Sequence, residues 1–581
     1  MTSMIALAFH HRGWRLTNLL LQVIILALVG LTGSNLAQAV SIADPGLESA
    51  VRQALQKPVG PLTDQDLLNL TALDASKHGI SSLAGLEAAR NLTSLLLRSN
   101  QLSNVSIPAE LTNLGTIDIS FNPLTNCVVP QGLNKLDRLL LESCLLTSVS
   151  LPPDLVALVE LNLSANLLTR FDLPASLTGL GVLNLGGNQL DRIDFPPNLI
   201  ELDNLNLQNN FLANFTLPAR LTNIFFLNLS LNGITNCALP NGLNHLNTLM
   251  LGGNRLMKLS LPAGMTRLLQ LDLWINQLTS LTLPPDMTNL AGLNAFMNAL
   301  TNLTLPHTLT TLLTLELEGN QFTSFDVSSN LLRLSTLNLR NNQLTNCSVS
   351  AIATNLNFLD LAGNQLSEFS LIPYLTNLAI LDLSANKLTS FALLPGMTNL
   401  TELLLESNQL TNLTLSSGLW RLNQINLSGN VLPSINLPAG MTNLMWLLLE
   451  GNHLATLSLP PDLVQLTRLR LDGNPLTTLI LSETMATGPL AVTVTTLRNQ
   501  GVSVYTYPLT VQLVRARKLT GAIQFGIEGP PGAYTVLQSS DLTGWSFLGT
   551  ITNTLGSVAF TDTTAHNSAA KFYRAQSPNS L

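Results

Sequence analysis

The chain has 581 residues, 46% of them apolar and 10% charged, with a net charge of −7 at pH 7. So mild a charge, with no basic stripe to hold phosphates, argues against a nucleic-acid partner. The apolar residues recur on a short period and form one long run only, at the N-terminus, which argues against a polytopic membrane protein.

In chain order, His10, His11, Arg12 and Arg15 precede an apolar run from Leu19 to Leu31, followed by Ala37-Gln38-Ala39. A basic start, a short apolar run and an A-x-A site are the layout of a secretory signal peptide, so residues 1–39 are expected to be a leader cleaved after Ala39. An uncleaved anchor is the alternative, but the run is short for a membrane span. No cysteine follows it to accept a lipid. The C-terminal Ser577-Pro578-Asn579-Ser580-Leu581 carries no apolar tail and no LPxTG-like sorting signal. The expected location is secreted, periplasmic or at the cell surface.

Residues 42–70 are expected to form a helical N-terminal cap. Asp44-Pro45 is an N-cap followed by proline at the first helical position, and Leu47, Ala50, Val51, Ala54 and Leu55 then recur at helical spacing. Thr63-Asp64-Gln65-Asp66 opens a second helix. A degenerate first coil follows, with Leu70, Leu73 and Ala75 in frame and His78 at the position that asparagine takes in later coils.

Residues 71–483 repeat. One residue recurs every 22 positions: Asn100, Asn122, Cys144, Asn166, Asn188, Asn210, Asn232, Asn254, Asn276, Asn298, Asn320, Asn342, Asn364, Asn386, Asn408, Asn430, Asn452 and Asn474. Before each stands the frame LxxLxLxxN, as in Leu180, Leu183, Leu185 and Asn188. A fixed period of this length means a solenoid, which escapes the size limit of a single globular core. The alternating leucines face one side of a short strand, and stacked copies form a parallel sheet over a continuous core. The asparagine amide donates and accepts, so it can satisfy the backbone groups of the buried turn in every coil. A second apolar set, such as Leu102, Val105 and Ile107, lines the opposite wall. Ten coils then place proline at one phase, from Pro108 to Pro306. Proline lacks an amide hydrogen and favours extended backbone, so that wall is expected to be extended rather than helical.

This frame resembles the bacterial leucine-rich repeat, and the 22-residue length is similar to that of the internalin-like subfamily. The resemblance implies a leucine-rich repeat solenoid with a parallel β concave face and an extended or 3₁₀ convex face. It also tolerates cysteine at the ladder position, as at Cys144. Some bacterial leucine-rich repeat proteins carry a ubiquitin-ligase domain with a catalytic cysteine, but no cysteine follows Cys347 here.

Cys127, Cys237 and Cys347 are 110 residues apart at one core-facing phase. Five coils at about 4.8 Å each separate them by about 24 Å, beyond disulfide reach, so they read as buried small hydrophobes. Residues 484–507 are expected to be a C-terminal cap, with a helix over Pro489–Gln500 and a strand over Val502–Tyr507. Residues 508–576 then alternate between short apolar strands and Gly, Pro and Asp turns, which reads as a small all-β sandwich. Its Tyr-x-Val, Ser-x-Asp-Leu-x-x-Trp and Phe-Tyr-Arg pattern resembles β modules at the C-termini of secreted bacterial proteins.

There is no HExxH, GxSxG, P-loop or paired CxxC, and the histidines fall on different phases. No enzyme activity, cofactor or metal is expected. The candidate surface is the concave face. Four residues before each ladder position it carries Asn162, Asn184, Asn206, Asn228, Asp272, Asn294, Glu316, Asn338, Asp360 and Asp382. This column is either a solvated face or a recognition surface. Asp360 and Asp382, about 5 Å apart, repel unless water, a proton or a cation intervenes. Large apolar residues at outward positions mark a candidate ligand patch: Phe226, Met250, Trp274, Ile275, Phe296 and Met297. Against that, Ala295 replaces a core leucine, and slippage would turn Phe296 inward. The expected function is non-catalytic binding of a protein or glycan through the concave face. The rival readings are a surface adhesin attached through the β-module, and an enzyme site hidden in that module. Tyr534, Trp545, Phe547, Phe572 and Tyr573 would suit a sugar platform there, or simply its core.

Overall fold

The computed structural model describes residues 39–328, 330–371, 374–565 and 570–577. The expected leader, apart from Ala39, lies outside them. No helix among the described residues is long and apolar enough to cross a membrane. The chain divides into two compact units: one runs to Ala213 and adds Pro218–Phe226, the other is Asn214–Leu217 with everything from Leu227 onward.

The N-terminal unit begins with a two-residue antiparallel pairing of Ala39–Val40 with Leu62–Thr63. A helix follows over Pro45–Ala54, where proline stands in the first turn and so forfeits no helical hydrogen bond. Asp44 is a buried joint: Oδ1 accepts from Leu47 N at 3.0 Å, and Oδ2 from Ser81 N at 2.7 Å. Burial pushes its pKa up, but these donors overcome that and hold it below the usual carboxylate range. Thr63 and Asp66 close a reciprocal capping box on the Asp64–Leu68 helix. Three-residue strands then stack in parallel, with Leu73, Leu95, Ile117, Leu139, Leu161, Leu183 and Leu205 in one register.

The C-terminal unit continues the design. Leu249, Leu271, Leu293 and Leu315 lead a column that reaches Leu469, each residue opposite its equivalent in the next coil. These middle residues are at most 4% exposed, whereas their strand neighbours are mostly half-buried: inward leucine, outward polar. On the opposite wall many coils make a second short strand, mostly paired in twos, as Phe325 with Cys347 and Phe391 with Leu413, while Thr456–Ser458 joins a three-stranded sheet at the end of the array. In coils of the N-terminal unit two tight turns follow that strand, for example Leu111 N to Pro108 O at 3.2 Å and Leu114 N to Leu111 O at 3.1 Å. Pro108, Pro174, Pro196 and Pro218 thus accept the first turn's hydrogen bond after an extended approach. Together these elements make a parallel β-solenoid of leucine-rich repeat type.

All four cysteines are free and buried. Burial pushes the Cys127, Cys237 and Cys347 thiols up to about 12, so they are packing residues, not nucleophiles.

The array ends where Thr478–Ser482 pairs in parallel with Ser503–Tyr507, across helices Glu483–Thr487 and Ala491–Asn499. The second helix forms despite Val492 and Val494 because Val494 and Leu497 are buried beneath it. Tyr507 is fully buried, and its hydroxyl donates to Leu459 O at 2.7 Å. Two three-stranded antiparallel sheets follow. They close on Phe525, Ile527, Tyr534 and Val536, with Phe560 and Tyr573 packed alongside. Tyr534 and Tyr573 are therefore core residues, while Phe547 and Phe572 are exposed and Trp545 is half-buried.

The strand face and its aromatic patch

The ladder asparagines supply the frame on which the face is built. Asn276 Nδ2 donates to Leu251 O and Leu273 O at 3.0 Å each, and its Oδ1 accepts from Leu256 N at 3.0 Å. One side chain thus ties three backbone groups across two coils. Cys144 keeps part of this pattern: its thiol donates to Ile119 O at 3.4 Å. Leu124 N, left without an amide oxygen, bonds Asn122 O at 2.8 Å instead.

The polar column four residues earlier is chiefly structural. Asn162 Oδ1 accepts from Ser164 N, Asn338 Oδ1 from Arg340 N, Asp360 Oδ1 from Ala362 N and Asp382 Oδ1 from Ser384 N, at 2.8–3.0 Å. Each closes a local turn at the strand exit. The cation between Asp360 and Asp382 is Arg340, whose Nη1 lies 3.5 Å from one Oδ2 and 3.1 Å from the other. Burial still pushes Asp360 up to about 6, against the Ala362 amide and the guanidinium that lower it. Among the described residues, no group of three or more His, Cys, Asp or Glu is arranged to hold a metal.

The residue just before each of the 18 ladder positions has positive φ. Seven are glycine, such as Gly253 and Gly319, but Leu231, Ile275 and Met297 take the same conformation at φ 56°, 47° and 52°. A β-branched residue there is a genuine outlier, because its side chain crowds the backbone. Leu231, Ile275 and Met297 are also exposed, at 48%, 43% and 54%. Half their apolar surface meets water, so packing does not repay the strain.

These residues flank a stack. Trp274 and Phe296 lie nearly parallel, interplanar 12°, with centroids 6.1 Å apart. Ala295 keeps its core position fully buried, so Phe296 does not turn inward to fill it. The indole rests on Gly252: a Cβ there would lie 2.2 Å from Trp274 Nε1. Leu231 reaches the same spot, its Cδ2 2.7 Å from where a Gly253 Cβ would stand. Met250 is half-buried and opposite Asp272. Met250, Trp274, Ile275, Phe296 and Met297 thus share the C-terminal unit, whereas Phe226 belongs to the N-terminal unit. Sequence reasoning missed Leu231, Gly252 and Gly253, although the seven glycines at one phase carried the signal. Ile275→Gly is expected to raise stability by about 1 kcal/mol, through relief of the left-handed strain. A thermal melt checks this, and a lowered midpoint would show that Ile275 is held by packing.

Compared with protein-family models, the chain matches the BspA-type leucine-rich repeat region over residues 80–165, 162–271 and 274–380. Among solved structures it is similar to YopM from Yersinia enterocolitica WA-314, at 27% identity and a TM-score of 0.60, covering 74% of this chain and 86% of that one. It also resembles the functional domain of InlJ from Listeria monocytogenes, which includes a cysteine ladder. That match has 19% identity and a TM-score of 0.50, over 85% and 97% of the two chains, and shows the fold alone. A comparison with curated proteins gives no match.

Proposed function

The chain belongs to the BspA-type leucine-rich repeat family, and from that premise we propose that it is an exported, non-catalytic binding protein. Its strand face takes a macromolecular partner, a protein or a glycan, at the patch of Met250, Trp274, Ile275, Phe296 and Met297. The observation that carries this reading is the exposed Ile275 beside the Trp274–Phe296 stack, at φ 47°. Strain unrepaid by packing collects at binding sites, and Trp and Met are favoured in interface cores. Export rests on the basic start, apolar run and A-x-A site of residues 1–39.

The test is capture of partners from the native milieu by the mature chain and by the Trp274→Ala, Phe296→Ala variant. Loss of a hot-spot aromatic is expected to weaken capture by about 2 kcal/mol, roughly 30-fold, while the melting curve stays nearly unchanged. Equal capture by both chains would rule the patch out.

A further inference from the structure

The strand face of the C-terminal unit turns acidic beyond the aromatic stack. Glu316 and Glu318 lie one coil past Phe296, and Glu402 and Glu406 four coils further. Arg340, the one cation on that stretch of face among the described residues, is already shared by Asp360 and Asp382 and acts on Glu318 only at longer range. Among the described residues, none of the four glutamates has a lysine or arginine within ion-pair distance. Among the described residues, the Glu318 and Glu406 carboxylates accept from asparagine side chains. The lane from Trp274 to Glu406 spans six coil steps, about 29 Å at about 4.8 Å each.

The complementary charge is on the same chain. The Gln512–Leu519 strand of the β-module is an edge strand, paired on one side with Ala522–Glu528. It presents Arg515, Arg517 and Lys518 between two exposed leucines, Leu513 and Leu519. Its neighbours absorb only part of that charge: Arg515, 86% exposed, pairs with Glu528 at 3.6 Å, while Arg517 bonds the neutral Gln524. A bulge between Val514 and Arg517 blunts the edge against simple sheet extension, so the side chains are what it offers. Eight extended residues cover about 26 Å, close to the length of the lane.

We propose that the occupant of the strand face is the Gln512–Leu519 edge of a second copy of this chain, with the leucine at one end of that edge on the Trp274–Phe296 stack and the cations beyond it along the glutamates. This rests on the binding reading above and names the partner. The contact is heterologous, so each added copy brings one free face and one free edge, and copies join head to tail into a ring or an open filament.

Sedimentation of the mature chain tests this. At low salt the average mass is expected to rise with concentration past that of a dimer, and to fall to that of a monomer as salt screens the charges. Arg517→Glu with Lys518→Glu makes both surfaces acidic. Glu316→Lys, Glu318→Lys, Glu402→Lys and Glu406→Lys together make both basic. Each variant alone is expected to associate at least tenfold more weakly, and an equimolar mixture to assemble again. Circular dichroism melts establish that both variants are folded. A wild type that stays monomeric at every concentration overturns the inference, as does a mixture of folded variants that fails to assemble. If that monomeric wild type still captures a Trp274-dependent partner, the binding reading stands and the second copy alone is ruled out.

Discussion

Replacing Lys571 by methionine is expected to destabilise the C-terminal module by about 3–5 kcal/mol, the cost of leaving one partner of a buried ion pair uncompensated. The Asp562 side chain has no exposed surface and that of Lys571 is 11% exposed, with Nζ 2.6 Å from Oδ2. The carboxylate also accepts from Tyr573 OH at 2.8 Å and from Thr564 N at 2.7 Å. Burial alone would raise its pKa, but the Lys571, Thr564 and Tyr573 donors overcome this and hold it at about 2. The folded pKa therefore lies below the unfolded value of about 3.9. The pair's stabilisation is present above that value and is lost as pH falls from about 4 to 2. In the Lys571→Met chain the buried carboxylate protonates at higher pH, which relieves the stranded charge, so the loss relative to wild type is expected to shrink as pH falls. Hydrogen exchange in the Ala522–Glu528 strand reads the module separately from the repeats. Asp562→Asn with Lys571→Met should recover part of the loss, because no charge is then stranded. A loss below about 1 kcal/mol would mean that solvent screens the pair.

The repeat was legible because its physics is periodic. Leu271 and its equivalents, the ladder asparagines and the outward polar column each recur without insertion, so one coil predicts the rest. What escaped was carried by single residues that break the period. Arg340 reaches forward across two coils to Asp360 and Asp382, which no pattern of equivalent positions contains. Gly252 matters only because Trp274 lies on it. The left-handed column was masked by its own tolerance: seven glycines at one phase signalled it, but serine, alanine, asparagine and leucine occupy it too, which diluted the signal. On the opposite wall the proline phase implied extended backbone, and the strand before it is extended. Of the two turns after Pro108, the first rests on a hydrogen bond that proline accepts rather than donates, and the second on one that Leu111 accepts. The patch was half legible: outward phase identified Trp274 and Phe296, but not the glycine floor or the strained rim that sets them apart from ordinary exposed hydrophobics.

Asn276→Ala is expected to cost the C-terminal unit about 2–3 kcal/mol, and the reason is one atom more than the rest. Leu251 O also accepts from Asn254 Nδ2 at 2.9 Å, and Leu273 O from Asn298 Nδ2 at 3.0 Å, so both carbonyls keep a partner when Asn276 is truncated. Leu256 N is different, since Asn276 Oδ1 is its acceptor and Leu256 is fully buried. An orphaned buried amide costs about 1–3 kcal/mol, to which the weakened carbonyl bonds add. Asn338→Ala removes a bond from half-exposed Arg340 N, and water can replace it, so less than about 1 kcal/mol is expected. The Cys144 coil indicates how the fold tolerates a lost amide: Leu124 N turns to Asn122 O and the thiol bonds Ile119 O. Asn276→Cys should therefore fall between wild type and alanine. Urea titration of the mature chain ranks the three variants, and amide exchange at Leu256 locates the damage. Equal losses for Asn276→Ala and Asn338→Ala, or a Leu256 amide as protected as in wild type, would mean that the ladder does not hold the turn.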